Sequence, residues 1–414
     1  MAMKESGIEW VGLIPDTWSV IPNKYVMHKE KNLCEKWTGE DVMSLTMNGV
    51  IVRDLQNPTG KMPATFDGYQ YIEDGDLLMC LFDIDVTPRC VGRVTHDGVT
   101  SPAYSNFKVH DNASRDYFYY YYLMVDNTKE LLHLAKNLRH SFTEEQLGQL
   151  KVPMPPLSEQ QAIADYLDET CSKIDEIIAE AKASIDEYKE LKQSVIFEAV
   201  TKGLDKNVEM KQCSVNWLDE IPSTWESIRL KYLLTEINNR SETGTEQPLS
   251  VSQVMGVVPS YMIAVANPTA SYVGQKIVEP NDIVFNKLKA HLGVFFMSKY
   301  HGLVSPDYAV YRTNDKVIPK YLEYLFHTSA CISEFKKYIS GVAEGLMRLY
   351  TSDLFNIRIC LPKVDEQIKI VEYVENKVEL FNSLISEKEF LINDLEAYKK
   401  SLIYEVVTGK RRVV

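Results

Sequence analysis

Long hydrophobic runs are missing from this sequence. No stretch approaches the roughly 18 apolar residues that a membrane-crossing helix needs, and the N-terminal residues lack the charged-then-apolar pattern of a secretory signal. The expected setting is cytoplasmic, with no membrane partner. Cysteine is sparse: seven residues, at 34, 80, 90, 171, 213, 331 and 360, odd in number and without a Cys-x-x-Cys pair. That usage points to reduced thiols, and Cys80, Cys171 and Cys360 sit in apolar stretches that read as core. The eight histidines (28, 96, 110, 133, 140, 291, 301 and 327) never fall at metal-ligand spacing with cysteines or carboxylates. Positive charge is also short. The net charge of −13 does not by itself suggest nucleic acid. Residues 1–150 hold 14 Lys/Arg against 21 Asp/Glu, 151–206 hold 7 against 12, 207–356 hold 14 against 15, and 357–414 hold 10 of each. The acidity therefore lies in the first half, and a local basic patch remains open in either.

What is present is a duplication. One segment opens at Pro155-Pro156-Leu157-Ser158-Glu159-Gln160-Gln161 and runs to Gly203; another opens at Leu361-Pro362-Lys363-Val364-Asp365-Glu366-Gln367 and runs to Gly409. They align at an offset of 207, matching Glu159 with Glu366, Tyr166 with Tyr373 and Lys192 with Lys399. Each carries two heptad tracks: Leu167, Ile174, Ala181, Tyr188, Val195 with Ala164, Cys171, Ile178, Ile185, Lys192, Ala199; and Val374, Phe381, Lys388, Leu395, Leu402 with Val371, Val378, Ile385, Ile392, Lys399, Val406. Such a seam predicts two long helices that pair with each other. A helix of about 40 residues spans roughly 60 Å, too long for one globular core. Ser158 with Gln161 reads as a capping box, Asp365 as an N-cap, and Gly203 and Gly409 as C-caps. Ile163, Ile177, Leu191, Ile370, Leu384 and Leu391 fall off the seam and are expected to face outward.

The same offset relates Trp10-Val11-Gly12-Leu13-Ile14-Pro15-Asp16-Thr17-Trp18 to Trp217-Leu218-Asp219-Glu220-Ile221-Pro222-Ser223-Thr224-Trp225. Each motif opens a stretch read as α+β. Strands are expected at Val42–Leu45 and Leu249–Ser252, at Asp76–Phe82 and Asp282–Asn286, and after Ser101–Tyr104 and Ser305–Tyr308; helices begin at Tyr117 and Tyr321. The tyrosine run 117–122 and the paired tryptophans read as core packing, and Gly341–Gly345 as a flexible loop. The expected order is globe 1–154, helix 155–206, globe 207–360, then helix and basic tail 361–414: a tandem internal repeat.

On these features the chain resembles the specificity subunits of type I restriction–modification enzymes. The resemblance covers the full length and rests on the Trp-x-Gly-x-Ile-Pro-x-x-Trp type opening, the Leu/Ile-Pro-x-x-x-Glu-Gln entry to each helix, and two dissimilar globes beside two similar helices. Asp219, where the first copy has Gly12, departs from the pattern at a turn. The resemblance implies two target-recognition domains, each reading one half of a bipartite site on double-stranded DNA. The helices would form an antiparallel coiled coil that sets the spacing and docks two methyltransferase subunits, with restriction/translocase subunits as further partners. It implies no catalysis and no cofactor in this chain, S-adenosylmethionine, ATP and Mg belonging to partner subunits.

The residues agree with a binding role. No Gly-x-Gly-x-x-Gly or Walker loop is present. Asn57-Pro58-Thr59 and Asn267-Pro268-Thr269 lack the second proline and the aromatic of an amino-methyltransferase loop. Pro15-Asp16 and Pro306-Asp307 lack the acidic-x-Lys of a nuclease centre. Candidate DNA contacts in the second globe are Lys287, Lys289 and His291, which strand alternation would place on one face, with Arg240, Lys276, Arg312 and Arg348 behind them. At the matching loop the first globe offers Asp83 and Asp85, able to accept from a cytosine amino group or to cap a turn, then Arg89, Arg93, Arg139 and His140. A coiled-coil adaptor that binds only proteins is the rival reading.

Overall fold

The computed structural model describes residues 2–58, 60, 62–135, 140–263, 271–340 and 348–413. Arg139, Thr59, Asn267-Pro268-Thr269 and the glycine loop 341–345 lie outside the described residues. The chain divides into two compact units, Met1–Lys182 with Glu389–Val414, and Ala183–Lys388. Each unit therefore joins one globe to part of both long helices.

In the first unit, β1 (Met3–Glu5) and β2 (Leu13–Pro15) form an antiparallel hairpin. After β3 (Ser19–Pro22) and β4 (Met27–Glu30) comes a second hairpin, β5 (Val42–Thr46) and β6 (Gly49–Val52). Five short strands follow: β7 (Gln70–Ile72), β8 (Leu77–Met79), β9 (Val91–Arg93), β10 (Gly98–Thr100) and β11 (Ser105–Val109). They build two four-stranded sheets, ordered β6-β5-β10-β7 and β4-β11-β8-β9, in which only the β5–β10 pair is parallel. Helix α1 (Arg115–Asn127) starts where the Ser114 hydroxyl accepts from the Tyr117 amide, a standard N-cap. Tyr117, Phe118, Tyr120, Tyr121 and Tyr122 are all buried, so the aromatic run is core. Then α2 (Glu144–Gln149) and β12 (Lys151–Met154), antiparallel to β3, lead into α3 (Leu157–Lys202).

The second unit repeats the plan. Its strands are β13 (Met210–Gln212), β14 (Glu220–Pro222), β15 (Glu226–Arg229), β16 (Leu234–Ile237), β17 (Leu249–Ser252) and β18 (Gly256–Pro259). β19 (Lys276–Val278), β20 (Ile283–Phe285), β21 (Phe295–Met297), β22 (Gly302–Val304) and β23 (Ala309–Thr313) follow. The four-stranded sheet is β16-β23-β20-β21, the counterpart of β4-β11-β8-β9. Helices α4 (Pro319–Phe326), α5 (Ser329–Lys337) and α6 (Thr351–Asn356) precede β24 (Arg358–Leu361), which pairs with β15, and α7 (Val364–Val407).

The sequence motifs at the two openings are halves of one joint, made twice. Trp18 is fully buried and its indole donates to the Glu159 carboxylate at 3.0 Å; Trp225, equally buried, donates to Glu366 at 3.1 Å. The neighbouring glutamines enter the globes. Gln160 accepts from the Ser114 amide at 2.8 Å and donates to the Pro155 carbonyl; Gln367 accepts from the Ile318 amide at 2.9 Å and donates to the Lys316 and Pro362 carbonyls. These amides fix the helix entries, and the caps fall elsewhere than expected. The helices begin at Leu157 and Val364, with the carbonyls of Pro156 and Lys363 receiving the first amides, so Ser158 and Asp365 lie inside the first turn and Gln161 turns to Asp165. Gly203 and Gly409 do end the helices, at φ +76° and +71°, and a side chain at 409 would collide with Pro15 and Trp18. The turn at Asp219 keeps the bond made at Gly12: the Ser6 and Cys213 amides donate to those two carbonyls, each at 3.0 Å.

Within the first unit, α3 and α7 pair through the expected seam, with Ala164, Leu167, Cys171, Ile174 and Ile178 buried and Lys399 bound to Asp175 at 2.6 Å. In the second, Ile185, Ala199 and Val374 are buried, Tyr188 meets Phe381 and Lys192 donates to Asn382 at 3.0 Å. Two residues expected to face outward do not: Ile163 and Ile370 are buried, because the helix turns nearest each entry lie against the globe. Ile177, Leu191 and Leu391 are exposed as expected. Among the described residues no helix is long and apolar enough to cross a membrane.

Candidate nucleic-acid interface

In the second unit β20 ends at Asn286. The side chain of Asn286 accepts from the Leu288 and Lys289 amides at 3.1 and 3.3 Å and winds residues 287–292 into a 3₁₀ turn. Lys287, Lys289 and His291 therefore do not share a strand face. With about three residues per turn, positions three apart align instead, and the outward pair is Lys289 with Leu292, both exposed, while Ala290 is buried. The turn closes at Gly293, in the left-handed region at φ +71°. His327 holds it there: its ring stacks on Phe295 and Nε2 donates to the Gly293 carbonyl at 3.0 Å. Burial pushes the His327 pKa below its ordinary value, against the opposing pull of Glu323 and that hydrogen bond. A lowered imidazole pKa favours the folded state above the ordinary value near 6.5 and loses that contribution as pH falls through the folded pKa. His327→Gln should therefore flatten the decline in thermal stability of the full chain between about pH 6.5 and 5; an unchanged pH slope would contradict this placement.

Several of the second unit's candidate cations gather here. Lys287 is half-buried, 3.4 Å from Glu236, and its carbonyl accepts from the Leu349 amide, which brings the Arg348 strand alongside. Arg348 itself is tied by its backbone to Ser340. Lys276 is buried, donates to the Tyr308 carbonyl at 2.8 Å, and forms a backbone bridge with Arg240. Burial, then the neighbouring charge of Lys287 and Arg240, holds the Lys276 amine below its usual pKa. Arg240 is exposed and donates to the Gly274 carbonyl. Arg312 is engaged elsewhere, in a bidentate pair with the buried Asp282 at 2.8 and 2.9 Å. His291 is half-buried, and its Nδ1 has no hydrogen-bond partner.

In the first unit the loop after β8 differs in charge and shape. Asp83 adopts φ +47°, and its carbonyl accepts from the Val86 and Thr87 amides, so its backbone makes a turn and its side chain is left over. Asp85 lies 3.9 Å from His140. Arg89 points inward, donating to the Val91 and Met47 carbonyls and to the Tyr119 hydroxyl. Arg93 binds Asp116 at 2.6 Å and Asp168 at 2.9 Å, over the face of Tyr119. It ties the globe to α3. Asp83, Asp85 and His140 thus come together at one loop, while Arg89 and Arg93 serve internal contacts.

One element beside these loops carries little signal in the sequence. The β5–β6 hairpin tip is tethered through its Met47 carbonyl to Arg89 at 2.8 Å. The β17–β18 tip is tethered through Gln253, which donates to the Leu292 carbonyl at 3.3 Å. The one sequence cue is Gly49 and Gly256, 207 residues apart and both at positive φ.

Comparison with known proteins bears on what these surfaces serve. A family model for the type I restriction modification DNA specificity domain matches residues 90–187 and 222–393, well over half of the chain. The MjaX specificity subunit named for a type I restriction enzyme of Methanocaldococcus jannaschii is 24% identical over 316 residues, 73% of this chain and 69% of that protein. The MjaVIII subunit of the same organism is 25% identical, over 64% of this chain and 63% of its own. The EcoKI specificity subunit of Escherichia coli K12 is 24% identical, over 55% and 50%. These alignments span from half to just over two thirds of the relatives' own lengths. Two solved structures share the fold. A chain from a type I R-M system, solved to address complex assembly and conformational transition, superposes with a TM-score of 0.71, covering 96% of this chain and 99% of that one at 14% identity. The HsdS subunit of Thermoanaerobacter tengcongensis gives 0.56, covering 96% and 98% at 15% identity. The chain belongs to the type I restriction–modification DNA specificity family, as a specificity subunit rather than a catalytic one.

Proposed function

We propose that this chain reads a bipartite DNA sequence for a type I restriction–modification complex, each globe addressing one half-site through the loops described above. One observation carries this reading: a repeated frame presents, at the same place, two loops of different chemistry, Lys287–Leu292 in one globe and the Asp83–Asp85 turn in the other. A frame kept constant around a variable polar loop suits a protein that recognises two different sequences. Replacing Lys287 and Lys289 by alanine should weaken or relax methylation at one half-site only, read by methylome sequencing of a host carrying the complete system. Equal relaxation at both half-sites would separate the globes from the half-sites.

The paired helices set the distance between half-sites and carry the methyltransferase subunits, one per unit. Exposed apolar residues on them, among them Ile177, Phe390 and Leu391 in the first unit and Leu191 and Leu380 in the second, provide the surface. The native mass of the co-expressed complex should correspond to two methyltransferase subunits; a single one would remove this assignment. S-adenosylmethionine, ATP and Mg act on those and on the restriction subunits.

A further inference from the structure

We infer that the tips of the β5–β6 and β17–β18 hairpins read the major groove by apolar contact, with Met47 and Val254 meeting thymine methyl groups. This rests on the DNA-reading function proposed above and assigns to it residues outside the loop cations.

The tips are the same feature at the same place in two dissimilar globes. Met47 and Val254 are 207 residues apart, each two positions before the positive-φ glycine, Gly49 or Gly256. Turn tips ordinarily carry small polar residues that bond their own backbone. Here neighbouring residues supply those bonds. The Thr46 hydroxyl donates to the Gly49 carbonyl and accepts from the Asn48 amide, and the Ser252 hydroxyl accepts from the Val254 and Met255 amides. The apolar side chain is left pointing out, 63% exposed at Met47 and 92% at Val254. Neither packs on its own globe, so folding gives no reason for an apolar residue there.

The choice of occupant follows from size and charge. A stable protein interface buries on the order of 800 Å² on each partner, and a tip of one or two side chains offers far less. A two-stranded ribbon fits the B-DNA major groove, about 12 Å wide, where the thymine C5-methyl is the apolar landmark. In the second unit the tip is tied to the turn that exposes Lys289, so a cation suited to a phosphate stands beside the apolar tip. In both units the tether to the adjacent loop holds the tip in place beforehand, which lowers the ordering cost of binding.

The test uses the complete methyltransferase complex and duplexes carrying its own site, with each thymine replaced in turn by deoxyuridine. For the wild-type protein, one replacement in each half-site should slow methylation about fourfold, the effect of one buried methyl. Val254→Ser should be slow on thymine by a similar factor and insensitive to uracil at that position. Met47→Ser should behave likewise at the other half-site. Thermal melting and retention of the methyltransferase subunits check that each variant is intact, and Val254→Thr, of equal size, stands in should the serine variant melt early. The inference is overturned if the variants methylate thymine duplexes at the wild-type rate, if they stay as sensitive to uracil as the wild type, or if either half-site contains no thymine on either strand. Absence of any sequence-specific methylation that depends on this chain would instead overturn the proposed function.

Discussion

Trp225→Ala should cost the second unit about 3–5 kcal/mol, the range for emptying a fully buried aromatic site. The indole is wholly enclosed, packs in the main core of that unit with Leu230, Ile359 and Ile370, and gives Glu366 a hydrogen bond at the helix entry. Removing it leaves a cavity and a carboxylate short of a donor at the same point. Since whole domains are stable by only about 5–15 kcal/mol, the loss should be visible in denaturant unfolding of the full chain as an early transition. Trp225→Phe keeps most of the volume but not the N–H and should cost less. An alanine variant within about 1 kcal/mol of the wild type would mean that the Trp–Glu joint does not hold the helix to the globe.

Lengthening both helices should change the target itself. Four residues added near Ala181 and near Lys388 extend each rod by about 6 Å and turn it roughly 40° past a full revolution. Two base pairs of B-DNA add about 6.8 Å and turn about 70°, a mismatch of about 30° that modest DNA twisting absorbs. The enlarged protein should methylate unchanged half-sites separated by a spacer one or two base pairs longer, read from the methylome. A single inserted residue turns a seam by about 100°. It should break the pairing that joins Asp175 to Lys399 and Tyr188 to Phe381, with loss of assembly. An unchanged spacer in the four-residue variant would show that the helices are not the ruler.

The frame is legible in the sequence because its signals are periodic and duplicated. Heptads, terminal glycines and the Trp and Glu-Gln motifs each appear twice, and the structure joins them. The helix entries shift because side chains from the globe decide them: the buried Gln160 and Gln367 outrank the local capping pattern. The basic segment 287–291 has the alternation of a strand, but the Asn286 side chain bends it, a short-range competition between side chain and backbone that alternation does not register. Arg93 and Arg312 are indistinguishable from surface cations in sequence because their carboxylates, Asp168 and Asp282, lie 75 and 30 residues away. The hairpin tips give little signal because a single exposed apolar residue is ordinary by itself; only its recurrence at one place in two folds sets it apart.

The division of the chain also orders its birth on the ribosome. The second unit is one continuous stretch, Ala183–Lys388, whereas the first needs residues from both sides of it. Until residues 389–409 emerge, the Tyr117 hydroxyl lacks the Val407 carbonyl, Asp175 lacks Lys399, and Trp18 and Pro15 lack the backbone of Gly409. Chains are made from the N-terminus and domains fold as units, so the globe translated first is the one closed last. Its half of α3, with Ala164, Leu167 and Ile174 uncovered, is an apolar stripe through most of translation. That interval is when the nascent chain is most open to aggregation, or to capture by a neighbouring chain's α7.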